Sequence, residues 1–292
     1  MHYVSDFIGL YAFTVKVCEK KWVDKLRYIF YTLRMIRLIA TDLDGTLLKT
    51  DKSLPEGFLS AAEELLRRGV VLVAASGRQY DNIYETLAPV SDRCYIISEN
   101  GAINGYADKV TEQRRMRPEI VAAVLDFVDR TEGVHAVCCC AHVGAYYDDD
   151  PKFISEMSRY YLKRRYVSAD EARRSPACKI ALYCNGNAER IAKIIPHFDG
   201  ATSVVSGVDW VDVACEGVTK GSALAEVLKK TGIRAEECLA FGDQFNDREM
   251  LEACGAAFVT ANASEGMRAL FPAIGSCDDG AVLMKIKELC GV

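Results

Sequence analysis

The chain has 292 residues, 50% of them hydrophobic and 26% charged, which fits one or two globular domains and excludes a disordered, collagenous or low-complexity chain. Its 36 basic and 41 acidic residues leave a formal charge of −5, the wrong sign for a nucleic-acid partner. It contains no run of about eighteen uncharged apolar residues, so no membrane-spanning helix is expected.

The first 34 residues differ from the rest. They are aromatic, turn basic towards their end, and space their apolar residues loosely as a helix does. An early basic region and a small-residue cleavage site are both missing, so this is not a secretory signal. Met35 opens MIRLIATDLDGT as an ordinary protein start. The extension therefore reads as a mis-assigned start or a loosely attached tail, with an amphipathic docking helix as the competing reading.

From Ile36 the pattern alternates between strand and helix. IRLIATDLD is a strand, PEGFLSAAEELLRRG a helix with Pro55 near its start and Gly69 as its stop, and VVLVAASGR a second strand. The helix QYDNIYETLAPV and the strand YIISENGA follow. Strands that are apolar throughout indicate a parallel sheet covered on both faces. The middle changes to a helix–strand–strand order that occurs twice. The first copy is RPEIVAAVLDFVDRTEG, VHAVCCCA and AYYD; the second is NAERIAKIIPHF, ATSVVSG and DWVDVAC. A helix from Lys220, the strand ECLAFGD, the helix NDREMLEAC, the strand AAFVT and a last helix resume the first pattern. The fold class is thus α/β: a doubly wound, Rossmann-like parallel core over 35–113 and 215–292, with an α+β domain inserted at 114–214.

Twelve cysteines are scattered from Cys18 to Cys290 without a CxxC pair. None of His2, His135, His142 and His197 has zinc-ligand spacing to a cysteine pair. Cys138, Cys139 and Cys140 lie in an apolar strand, where thiols pack as small hydrophobes. Reduced cysteines and the missing signal suggest a cytoplasmic protein.

The chemistry gathers at strand ends. Asp42 and Asp44 of DLDGT are two apart, so strand alternation aims both the same way, and Gly45 and Thr46 make a sharp exit. GDQFND adds Asp243 and Asp247 at another strand end. In a doubly wound sheet such ends meet at one crevice, where three or four carboxylates form an oxygen cluster suited to Mg²⁺. Ser76 of ASGR offers a hydroxyl and turn amides to a phosphate, and Lys220 of VTKG adds a cation at a helix start. Arg78 fits either that site or a solvent-facing helix position.

DLDGT, ASGR, VTKG and GDQFND in this order resemble the four motifs of the haloacid-dehalogenase-like (HAD) superfamily hydrolases, and SENGA at Ser98–Ala102 resembles the Cof-type phosphatases. The resemblance covers Met35 to the C-terminus and leaves out the extension. It implies a Mg²⁺-dependent phosphatase for small phosphorylated metabolites, with Asp42 as nucleophile and Asp44 as general acid/base. It also implies that Ser76, Gly77, Lys220 and Asn246 bind the phosphoryl group. Asp42, Asp243 and the Asp44 carbonyl would hold the metal, supported by Asp247. A phosphosugar mutase would use the same aspartyl-phosphate, and a phospholigand-binding protein could keep the fold, though it would not need both Asp42 and Asp44. In the insertion, His142, Tyr146, Tyr147, Asp148 and Lys179 are candidates to face the substrate; a solvated turn or strand edge explains each equally well.

Overall fold

The structure is a computed structural model that describes residues 36–292. The extension, with its candidate helix, lies outside the described residues. The chain opens with β1 (Leu38–Thr41), α1 (Phe58–Arg67), β2 (Val71–Ala75), α2 (Tyr80–Thr86) and β3 (Tyr95–Ser98). All four residues of β1 are buried, as a central parallel strand requires. Alternation then divides them: Ile39 packs against one face of the sheet, Leu38 and Ala40 against the other. Helix α1 buries Phe58, Ala61, Ala62 and Leu65, one stripe at three- and four-residue spacing.

Strand β3 ends at Ser98, the first residue of the SENGA run. Glu99 and Asn100 adopt left-handed backbone (φ 49° and 57°) and turn the chain into a hairpin, β4 (Ile103–Tyr106) and β5 (Lys109–Gln113), that the apolar pattern had not indicated. The insertion follows with α3 (Pro118–Asp129), β6 (His135–Cys139), β7 (Gly144–Tyr146), α4 (Pro151–Met157), β8 (Arg164–Tyr166), α5 (Ala169–Arg173), β9 (Lys179–Tyr183), α6 (Ala188–Ala192), β10 (Ala201–Val205) and β11 (Trp210–Cys215). The core resumes with α7 (Lys220–Thr231), β12 (Cys238–Gly242), α8 (Arg248–Glu252), β13 (Ala256–Val259), α9 (Glu265–Leu270) and α10 (Ala281–Cys290).

The core sheet runs β13-β12-β1-β2-β3-β4-β5, parallel from β13 to β3 and antiparallel in the added hairpin. Helices α1, α2 and α10 pack on one face, α7, α8 and α9 on the other. The inserted sheet runs β10-β11-β9-β6-β7-β8. Its two helix–strand–strand units flank β9, a strand buried along its whole length. Sequence patterns assign nothing between Asp148 and Asn187: β9 (KIALY) opens with a lysine, which breaks an otherwise apolar and aromatic run. Helix α6 is shorter than NAERIAKIIPHF suggests: it stops at Ala192, ahead of Pro196, whose ring disfavours helix in the residue before it. The eleven cysteines among the described residues are free thiols, and Cys138, Cys139 and Cys140 are buried. No helix among the described residues is long and apolar enough to cross a membrane.

Phe241, on β12, is fully buried and stacks on Phe258 of β13. Phe241→Ala should cost about 3–5 kcal/mol through lost burial and the cavity left behind. Urea unfolding followed by circular dichroism measures it; a midpoint unchanged from wild type would contradict this packing.

Candidate active site

Register brings the acidic motifs together. Thr41 of β1 pairs with Phe241 of β12, so Asp42 and Asp243, each one or two residues beyond, leave adjacent strands side by side. The Asp42 amide donates to the Phe241 carbonyl at 3.0 Å. Asp247 sits in the turn after β12, where its Oδ2 accepts from the amides of Asp243 (2.9 Å) and Gln244 (3.1 Å). One oxygen from each of Asp42, Asp243 and Asp247 lies within 4.8 Å of the other two. Gly45 (φ 80°) is required beside them, since a Cβ there would collide with the Asp243 carboxylate.

Lys220 enters from the first turn of α7, whose start is fixed by a capping box between Thr219 and Ser222. Its buried Nζ donates at 2.6 Å to Oδ1 of both Asp42 and Asp247. Gly101 (φ 103°) lets the loop after β3 lie against the Thr219 carbonyl, which keeps that helix start in place.

Burial pushes the Asp42 carboxyl well above the usual range; Lys220 opposes the shift, while Asp247 and Asp243 add to it. Burial, then repulsion from Asp247, pushes Asp243 up to about 7. Burial alone would lower Lys220, but Asp247 and Asp42 outweigh it and hold the ammonium charged. Asp42 Oδ2 is buried without a hydrogen-bond partner. An unpartnered carboxylate oxygen inside an all-oxygen cluster with excess negative charge fits a hard divalent cation.

Asp44 corrects the alternation argument. Strand β1 ends at Thr41, so the two-residue period no longer applies, and the Asp44 side chain stands outside the cluster. Arg78 grips it with two hydrogen bonds, Nε to Oδ2 at 2.6 Å and Nη2 to Oδ1 at 2.7 Å, and Lys52 adds a third at 2.8 Å. Burial raises the Asp44 carboxyl, yet Arg78 and then Lys52 outweigh it and hold the group below its ordinary value. Arg78 is itself buried, so of its two sequence readings the site prevails.

A cavity of about 840 Å³ opens between core and insertion. Asp42, Asp44, Ser76, Gly77, Asp243 and Asn246 line it, with Lys220 and Asp247 bonded beneath them. Among the five insertion candidates only Lys179 reaches the cavity. His142 pairs with Asp81, Tyr147 donates to Asp129, Asp148 pairs with His135, and Tyr146 packs edge-on to Phe153 and Tyr166. The residues that do form the upper wall include Glu156, Tyr160, Trp210 and Asp212. Trp210 and Asp212 stand two apart in DWVDVAC, so alternation along that strand could have marked them.

Residues 39–285 match the haloacid dehalogenase-like hydrolase family. The chain is 30% identical over 263 residues to an HMP-PP phosphatase of Klebsiella pneumoniae, covering 85% of this chain and 93% of the relative. The corresponding Escherichia coli protein is 28% identical over 265 residues, with the same coverage. Among solved structures, SMU.1108c from Streptococcus mutans superposes with a TM-score of 0.80 at 23% identity, covering 87% of this chain and 98% of that one. The HAD subclass IIB sugar phosphatase BT4131 gives 0.76 at 22% identity, over 86% and 98%. The chain belongs to the haloacid dehalogenase-like hydrolases. Within them it is a Cof-type enzyme of the phosphatase class, with the parallel core and inserted cap of that fold.

Two outcomes test the electrostatics. The folded Asp44 carboxyl binds its proton more weakly than the unfolded one, so the Arg78 pair stabilises above pH ~3.9 and is lost as pH falls. Arg78→Met should therefore flatten the acid limb of stability between about pH 2 and 4, read from urea midpoints; identical limbs would disprove the pairing. The raised Asp243 carboxyl has the opposite sign: its penalty is absent below ~3.9 and complete above 7. At pH 8 a divalent cation should raise the melting temperature of wild type, while Asp243→Asn should melt higher than metal-free wild type and respond weakly to the cation. Equal cation responses would exclude Asp243 as a ligand.

Proposed function

We propose that the protein is a Mg²⁺-dependent phosphatase that hydrolyses small phosphorylated metabolites through an aspartyl-phosphate on Asp42. The observation that carries this reading is Asp42 itself: a cavity-lining carboxylate with Oδ1 held by Lys220 and Oδ2 without a partner. The similarity to HMP-PP phosphatases over 85% of the chain supports the substrate class.

Asp42, Asp243 and the Asp44 carbonyl would hold Mg²⁺, with Asp247 bracing Asp243 through its amide. The bound ion supplies charge compensation to the phosphoryl oxygens and to the crowded carboxylates. Asp42 attacks phosphorus with its carboxylate, whose ionised form Lys220 favours against the cost of burial. Ser76, the Gly77 turn and Asn246 bind the phosphoryl oxygens and fix the line of attack.

Asp44 rests in its base form because Arg78 and Lys52 hold it so. That form serves the second step, in which Asp44 takes a proton from the water that opens the aspartyl-phosphate. Donation to the leaving alkoxide in the first step needs the acid form, for which Asp44 takes a proton from solvent as the substrate's phosphoryl anion competes for Arg78 and Lys52. The insertion, over 114–214, acts as the cap that shields this chemistry from water, and the site works in the cytoplasm.

Phosphate release from a panel of phosphorylated metabolites, with and without Mg²⁺, tests the reading. Asp42→Asn should abolish release, and Lys220→Ala should lower kcat/KM by roughly 10²-fold or more through lost electrostatic support. Metal-dependent release retained in Asp42→Asn would refute the nucleophile. Isomerised sugar phosphate in place of free phosphate would identify a mutase.

A further inference from the structure

Lys179 is the cap's one deeply buried cation at the cavity, and its bonding separates it from a substrate contact. Its exposure is 2%. Nζ lies 3.0 Å from the Gly77 carbonyl, 3.1 Å from Asp212 Oδ2 and 2.8 Å from Glu99 Oε2. Two of its three donors are hydrogen-bonded, to Gly77 and Asp212, and its charge is paired with the buried Glu99 carboxylate. Its bonding is thus directed at protein groups.

What it does hold is the turn after β2. The Gly77–Arg78 peptide is fixed at both ends: its carbonyl accepts from Lys179, and its N–H donates to Ser76 Oγ at 3.2 Å. Freed from the lysine, that peptide plane could rotate and take the Ser76 hydroxyl with it. Asp212 extends the tie to the other side of the cavity. Its Oδ2 accepts from Asn100 Nδ2 at 2.7 Å, and Asn100 Oδ1 accepts from Asn246 Nδ2 at 3.1 Å. Two left-handed residues, Glu99 and Asn100, carry these contacts, a backbone geometry that persists only where its surroundings enforce it.

We propose that Lys179 and Asp212, both on cap strands, are positioning residues that set the geometry of the core's phosphate-holding groups, Ser76, Gly77 and Asn246. The proposal rests on the phosphatase reading above. It makes the cap part of the phosphate site as well as its cover: the core turn is shaped by a bond that only a seated cap supplies.

The test is calorimetric titration of full-length wild type, Lys179→Met and Asp212→Asn with inorganic phosphate in the presence of Mg²⁺, alongside melting temperature and steady-state kinetics. Lys179→Met should weaken phosphate binding at least tenfold, and Asp212→Asn at least threefold, with KM raised and kcat lowered in both. Lys179→Met strands two buried carboxylates, so if it does not fold, Asp212→Asn decides, since it removes one charge from a cluster of two carboxylates and one lysine. Lower melting temperatures with phosphate affinity unchanged from wild type would reduce the cluster to a structural one and overturn the proposal. A wild type that binds no phosphate and releases none would overturn the phosphatase reading, and this proposal with it.

Discussion

The buried ammonium of Lys220 is the contact on which the site depends. It stands between Asp42 and Asp247 at 2.6 Å from each, with Asp243 as a third carboxylate close by. Without it three carboxylates would share a desolvated pocket with no countercharge, which favours their acid forms. With it, Asp42 keeps one oxygen fixed and the other uncommitted. Much of the surrounding backbone serves that arrangement: the capped start of α7 aims the lysine, the β1–β12 register sets Asp42 beside Asp243, and Gly45 leaves room for the Asp243 carboxylate.

A second charge pair works in the other direction. Arg78 and Lys52 draw Asp44 out of the acidic cluster and keep it ionised, so two aspartates separated by a single residue sit in opposed environments. One is pushed up by burial and the other held down by a guanidinium. Separating neighbouring carboxylates in this way is how a small site assigns them different roles.

The core was legible because its rules are local. A parallel strand buried on both faces reads as an unbroken apolar run, and the carboxylates that follow it mark its end, so Asp42, Ser76 and Asp243 were found at strand ends before any geometry was known. The partner of Asp44 was not legible, because a turn replaces the strand after Thr41 and the periodic argument stops there. Strand β9 was missed for a related reason. Its first residue, Lys179, is buried by virtue of Glu99 and Asp212, 80 and 33 positions away, and no window of neighbouring residues contains that information. His142 and Asp148 misled in the converse sense: they are polar and lie in the cap, yet Asp81 and His135 occupy them away from the cavity.

The placement of β12 has a consequence for how the chain assembles. It lies between β13 and β1 in the core sheet, although Cys238, which pairs with Leu38, comes far later in the chain. During synthesis β1, β2 and β3 emerge long before β12, so the nascent sheet carries an open β1 edge of the kind that recruits foreign strands. The inserted domain shortens that interval. Once folded around its own core, it replaces some hundred flexible residues by two nearby linkers and so lowers the entropy of closing the loop. A cap that folded slowly would leave the central edge of the core unpaired for just as long, which makes the cap's folding rate a determinant of how much enzyme reaches its native state.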